Sequence, residues 1–311
     1  MRILTIGNLA IALALKRMGH ASFAYGTDSS VGVESKEQRN IKNIKQFQDS
    51  LIEETKPELI IVADVGYGKM ATKFTRAGIR TVCASETSDI MSNNIYKNKF
   101  MKLIYRQDVG KGNTLLESWW NGDAFVGMYK TVYKRKFMSG DLGADVDCSM
   151  SMTSQLPLMP ECIQAMEPFL KKSSYIGLVQ IHLLNGKEVD VSIGIHSASI
   201  YNFIELYGKN FSTLFRGQPC QTMYKYSISI PVSLPPYPYG KGEMYEGKFT
   251  DIKHAHLHNA MGKYKVSGQF ATVTGAGGTE HEAQRRAYRT IELMNVPNIQ
   301  YRIDANLLTS I

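Results

Sequence analysis

The sequence predicts an α/β protein in three parts: a doubly wound parallel sheet, a central antiparallel region, and a small C-terminal α+β unit. Three observations carry this. Short apolar strands alternate with amphipathic helices through the first hundred residues. A strict apolar/polar alternation runs from Val189 to Ile195. The last third ends in a strand, a glycine-rich turn and a long amphipathic helix.

In chain order, Arg2–Ile6 reads as a buried strand and Gly7-Asn8 as a turn. Leu9–Met18 is apolar at helical spacing and stops at Gly19. Ala21–Tyr25 is a second strand. Ile44, Phe47, Leu51 and Ile52 form one stripe, predicting a helix over Asn40–Thr55. Glu58–Val62 is a strand, Lys69–Ala77 a helix closed by Gly78, and Ile79–Cys83 a strand. Parallel sheets of this kind bind ligands at the C-terminal ends of their strands, here near Gly7-Asn8 and Ala63-Asp64. Thr114–Lys136 and Ser174–Ile195 form the antiparallel region, separated by a helix over Pro160–Lys171. Further on come a strand over Tyr226–Val232, a proline turn over Pro235–Pro238, a strand over Gln269–Thr274, a glycine turn over Gly275–Thr279 and a helix over Glu280–Met294. Tyr301–Asp304 follows as a last extended segment. The expected boundaries are 1–97, 98–212 and 213–311.

Composition is that of a globular chain, 43% hydrophobic and 21% charged over 311 residues. Met1–His20 superficially resembles a secretory leader, but Gly7-Asn8 interrupts its apolar stretch and Lys16-Arg17 ends it. No segment approaches the length of a membrane helix, so no membrane partner is expected. Cys83, Cys148, Cys162 and Cys220 are widely spaced, which fits a reducing cytoplasm better than a disulfide framework. His254, His256 and His258 alternate on one face of a strand, a pattern open to metal but also to mere exposure, and no metal is expected. Trp119-Trp120 suits core packing better than base stacking.

The formal charge is +8 and the pI near 9.1, which favours an anionic partner. Between Lys97 and Lys136, nine cations face three acids, a net +6 that includes the run Lys134, Arg135, Lys136. Such a run suits phosphate contacts and equally a solvated face.

The most specific stretch is C-terminal. Thr272-Val273-Thr274-Gly275-Ala276-Gly277-Gly278-Thr279, then Glu282-Ala283-Gln284-Arg285-Arg286-Ala287-Tyr288, then Tyr301-Arg302-Ile303-Asp304, resembles the closing signature of glycinamide ribonucleotide synthetases (phosphoribosylamine–glycine ligases). Weaker matches follow in family order: Ile6-Gly7-Asn8 with Ala12-Leu13-Ala14; Leu116-Glu117-Ser118-Trp119-Trp120-Asn121-Gly122 for the hinge; Lys134-Arg135 with Gly140-Asp141-Leu142-Gly143; and Tyr237-Pro238 with Lys241-Gly242. The resemblance implies an ATP-grasp core between a Rossmann-like N-terminal domain and a small C-terminal domain. It also implies ligation through an acyl phosphate made with ATP and magnesium.

Three departures change that expectation. Only Tyr105–Asn113 stands where the family has its glycine-rich lid, too short for a strand, turn and helix. The strand that bears the family's metal pair of Glu and Asn reads here as Asp190 with Ser192, or Ser192 with Gly194. The family's glycine-rich substrate loop has become the acidic Gly143–Met150.

The resemblance and its departures imply an amino-acid transferase, using glycine or another small amine, that acts without ATP on a pre-activated phosphorylated nucleotide or DNA base. The chemistry is that of bacteriophage thymidine hypermodification, where an amine displaces pyrophosphate from a pyrophosphorylated hydroxymethyl base. No cofactor is expected. The alternatives are an ATP- and magnesium-dependent phosphoribosylamine–glycine ligase and a nucleotide-binding pseudoenzyme. The expected catalytic residues are Arg302, Asp304 and Asp141. The expected substrate contacts are Gly7, Asn8, Asp64, Glu117, Lys134, Arg135, Gly143, Gly275, Gly277 and Gly278; of the site, Arg302, Asp304, Asp141 and the Gly275–Gly278 turn are expected to converge with Gly7-Asn8 on one cleft.

Overall fold

A computed structural model describes residues 1–25, 42–44, 50–63, 67, 73–83, 113–173, 175–184, 188–218, 221–240, 242, 245–246, 253–257, 260–261, 265–266 and 268–308. The stretch Tyr105–Asn113, where the lid was expected to be missing, lies outside these residues apart from Asn113, as do Asp64, His258 and Cys220.

The N-terminal sheet is parallel, in the order β3-β2-β1-β4-β5. Its strands are β1 (Arg2–Ile6), β2 (Ala21–Tyr25), β3 (Lys42–Ile44), β4 (Leu59–Val62) and β5 (Thr81–Val82). Ile3, Leu4 and Ile6 are wholly buried, and helix α1 (Leu9–Arg17) covers one side with Ile11, Ala14 and Leu15. One expectation is corrected. Within the predicted helix over Asn40–Thr55, Lys42–Ile44 is the edge strand β3, pairing Ile44 with Tyr25, and among the described residues helix α2 covers Ser50–Thr55. Short apolar runs fit both periods, and here pairing with a neighbouring strand decides.

The second sheet is antiparallel and eight-stranded, in the order β10-β9-β6-β7-β8-β11-β16-β13. It comprises β6 (Asn113–Trp120), β7 (Phe125–Met138), β8 (Leu142–Gln155), β9 (Gly177–Leu184), β10 (Glu188–Ile193), β11 (Tyr226–Ser233), β13 (Ala255–Leu257) and β16 (Gln269–Gly277). Strands from both sides of residue 212 therefore share one sheet. A small sheet joins β12 (Tyr245–Glu246), β15 (Lys265–Val266) and β14 (Ala260–Met261). Two further expectations change. Gly143–Met150 is part of β8 rather than a loop, and the predicted helix over Pro160–Lys171 is two short ones, α3 (Glu161–Gln164) and α4 (Glu167–Leu170), with Pro168 in the first turn of the second.

Residues paired across neighbouring strands share a face, and the two faces differ. One is apolar: Met152, Ile228, Ile230, Val232, Ala271 and Val273 lie against Ala283, Ala287, Ile291 and Met294 of α7 (Glu280–Met294). Farther along, Leu116, Val179, Ile181 and Val191 lie against Ile163, Met166 and Leu170. The other face carries hydroxyls, amides and carboxyls, covered by α5 (Ser197–Tyr207), which the short α6 (Phe211–Phe215) follows.

The glycine turn is also corrected. Gly275 and Gly277 end β16, and only Gly278 precedes α7. A Cβ on Gly275 would sit 2.3 Å from the Ala283 carbonyl oxygen and 2.6 Å from the Ala287 nitrogen, so glycine is what lets the helix lie this close to the strand. Thr279 caps α7 by accepting from the Glu282 N–H at 3.2 Å. Glu282 in turn accepts from the N–H of Gly278, the residue before the cap, at 2.9 Å, a close variant of the capping box.

Candidate functional site

Arg302, Asp304 and Asp141 come together at the turn of the β7–β8 hairpin, Ser139–Asp141. Arg302 is 1% exposed. Its Nε and Nη2 donate to the two oxygens of Asp304 at 2.9 and 2.6 Å. Nη2 also donates to Asp141 at 3.0 Å, and Nη1 to the Lys136 carbonyl at 2.6 Å. The parallel fork is the strong form of a guanidinium–carboxylate pair. Asp304 also accepts from the Gly140 N–H at 2.8 Å, and Ile303 N–H donates to Ser139 Oγ at 3.0 Å. The cluster thus fastens the C-terminal segment to the hairpin. Burial pushes the Asp304 carboxyl up, but the bonds from Arg302 and Gly140 outweigh it and hold it below the usual range. The hydrogen bond from Lys134 and then that from Arg302 lower Asp141, which is half exposed. Asp141 is therefore the member of the trio that solvent reaches.

Lys134 meets Asp141 at 2.7 Å and Lys136 meets Asp145 at 3.2 Å. Two of the three cations of the run Lys134–Lys136 are thus paired with acids of the same hairpin, Asp141 in its turn and Asp145 on the returning strand. Arg135 is exposed, with a long bond from Nε to the Val146 carbonyl at 3.4 Å. Gly143 sits at positive φ at the start of β8, where a Cβ would press on Met138 at 3.3 Å.

Gly7 and Asn8 lie at the C-terminal end of β1. Gly7 takes a positive φ and donates its N–H to the Tyr25 carbonyl at 2.8 Å, and Asn8 caps α1 by accepting from the Ile11 N–H at 3.1 Å. These contacts account for both residues structurally. Trp119 and Trp120 are core residues, edge-on to Phe215 and Phe125.

Glu117 is fully buried within the polar face. It accepts from Thr131 and from Gln180, each at 2.5 Å, and Ser199 of α5 also bonds to it. Burial raises its pKa, and the three neutral donors offset this only in part. The network then crosses the sheet. Thr131 meets Thr153 at 2.7 Å, Ser151 meets Ser229 at 2.7 Å, Asn202 donates to Ser151 at 2.9 Å, and Thr274 donates to Glu205 at 2.8 Å. From α5 the contacts are Ser199, Asn202 and Glu205, three residues apart on one side of the helix. The sequence reading missed this helix and its ladder. The one available signal was the run of Ser and Thr at alternate positions in 149–153 and 227–229.

His254 and His256 both reach Glu205, His254 at 2.9 Å and His256 at 3.7 Å. Among the described residues no group of three or more His, Cys, Asp or Glu has an arrangement that could hold a metal, and no helix is long and apolar enough to cross a membrane.

No protein-family model matches the sequence, and a search of curated proteins finds no match. The structure is more informative. Phosphoribosylamine–glycine ligase from Thermotoga maritima superposes with a TM-score of 0.67 at 14% identity, covering 98% of this chain and 100% of that one. N5-carboxyaminoimidazole ribonucleotide synthetase from Thermus thermophilus gives 0.54 at 11%, covering 95% and 99%. The biotin carboxylase subunit of pyruvate carboxylase gives 0.54 at 11%, covering 99% and 93%. The fold is ATP-grasp-like.

In this ATP-grasp-like frame, β10 is the strand on which the resemblance places a magnesium pair. Ser192 donates its hydroxyl to Gln180 Oε1 at 3.2 Å, and Gly194 has no side chain. Neither register, Asp190 with Ser192 or Ser192 with Gly194, supplies two carboxylate or amide side chains, so these positions do not fit a magnesium ion of the kind that bridges ATP phosphates.

Proposed function

We propose that this protein transfers a small amino acid, with glycine the leading candidate, through its amine onto a pre-activated phosphorylated nucleotide or DNA base, without ATP. The observation that carries the reading is the pairing of an ATP-grasp-like scaffold with a β10 region whose side chains do not suit magnesium. An enzyme that cannot activate its substrate needs one that arrives activated.

In this reading Asp141 faces the substrate and Arg302 with Asp304 positions it, because the pair is buried while Asp141 is half exposed. Gly7 and Asn8, at the end of β1, border the same substrate, and Asp64 keeps the substrate role read from the sequence. Glu117 supports the site from beneath, and Gly275, Gly277 and Gly278 serve it by setting α7 against β16. Lys134 and Lys136 are paired, so Arg135 is the hairpin's phosphate contact with an anionic nucleotide or DNA. Calorimetry with Mg-ATP tests the ATP-independence. Binding no tighter than about millimolar is expected, and micromolar binding would overturn the reading.

A further inference from the structure

Three half-buried rings stand in a row on the polar face of the eight-stranded sheet, just beyond the start of α5. His182 of β9 and His196, which caps α5, have centroids 5.3 Å apart, and His196 and Tyr133 of β7 are 5.6 Å apart. Asp147 of β8 stands beside them. The register of β7 and β8 shifts between Met150 and Asp145, and what brings Asp147 to the rings is its contact with Ser197, the residue after His196. The Asp147 carboxylate is exposed and accepts the Ser197 hydroxyl.

The hairpin's other two acids each have a lysine, but among the described residues Asp147 has no cation within ion-pair distance. Its charge still reaches the rings: burial is the main cause that raises the Tyr133 phenol and Asp147 adds a smaller push, and it works against the burial that lowers His196. Burial wins at His196, so the imidazole stays neutral near pH 7 and does not compete for the carboxylate. His196 Nδ1 accepts the Ala198 N–H at 3.1 Å, which puts the neutral ring's proton on Nε2. Ser192 is not an activated nucleophile here. Its single proton goes to Gln180, so the 2.6 Å contact with His182 has the imidazole Nε2–H donating.

An accessible carboxylate without a cation, edged by neutral aromatic rings, is the environment an ammonium group recognises, through a charge-assisted hydrogen bond and the ring faces. We propose that Asp147, Tyr133 and His196 form a subsite for the ammonium group of a small primary amine. That the amine is the amino acid consumed in the transfer rests on the function proposed above; the subsite itself does not.

The test uses the full chain with no nucleotide present. Backbone and imidazole NMR signals of residues 133, 147 and 196 are followed while glycine, methylamine or acetate is added. Glycine and methylamine should shift these signals with saturation near the millimolar range, and acetate should not. Asp147→Asn should weaken glycine binding roughly tenfold or more, the loss expected for a hydrogen bond to a charged group. Asp145→Asn, on the same strand, should change nothing. Acetate shifting the same signals as glycine, or Asp147→Asn binding as tightly as the parent, would overturn the subsite. Amine binding without any transfer activity would count against the transfer alone.

Discussion

Glu117 and Glu205 belong to one polar layer, the first rising from the sheet and the second hanging from the helix that covers it, yet their acidities move in opposite directions. Both are pushed up by burial. Around Glu117 the donors are Thr131, Gln180 and Ser199, all neutral, and the carboxyl stays above its ordinary value. Around Glu205 they include His254 and His256, and these bonds and charges hold the carboxyl well below it. The contrast teaches that hydrogen bonds alone do not overcome desolvation here; a donor that can carry charge does. Asp304 with Arg302 extends the series, since its cation is permanent.

The largest effect should come from that permanent pair. Arg302→Ala leaves Asp304 facing a buried void, and denaturant unfolding should show a loss of about 3–5 kcal/mol. A loss below about 1 kcal/mol would mean the cluster behaves as a surface pair. Glu205→Gln should cost less, about 1.5–3 kcal/mol at neutral pH. Its sign with pH follows from the depressed carboxyl: the stabilisation is present above the ordinary value of 4.5 and is lost as pH falls toward the folded value. The Gln variant should therefore show a shallower acid destabilisation than the parent. Glu117→Gln should do least, under about 1 kcal/mol near pH 4, and its pH trend should run the other way. A raised carboxyl stabilises fully below 4.5 and loses that contribution as pH rises through the folded value, so the variant should gain on the parent as pH rises. Parallel trends for the two Gln variants would break the comparison.

The sequence made some of this legible. The period-two alternation of Val189–Ile195 marked β10, and Tyr301–Asp304 stood out because its two charges lacked a local partner. What it could not reveal was that Arg302, beyond its pair with Asp304, has partners some 160 positions away, in the hairpin. Strand β8 escaped notice because its acids suit a loop until Lys134 and Lys136 are seen opposite. Helix α5 escaped because Ser199, Asn202 and Glu205 place polar groups on a buried side, so no simple apolar stripe announces it. β3 was lost to a helix reading because a three-residue edge strand is defined by its neighbour rather than by its own pattern.

The central claim is transfer of an amine to an activated acceptor without ATP. It is tested most directly by incubating the full chain with glycine and DNA bearing a pyrophosphorylated hydroxymethyl base, then measuring the digested nucleosides by mass spectrometry. The account predicts a glycine adduct bonded through nitrogen, with release of one pyrophosphate per adduct, in the absence of ATP. An adduct that forms only when Mg-ATP is supplied would contradict it.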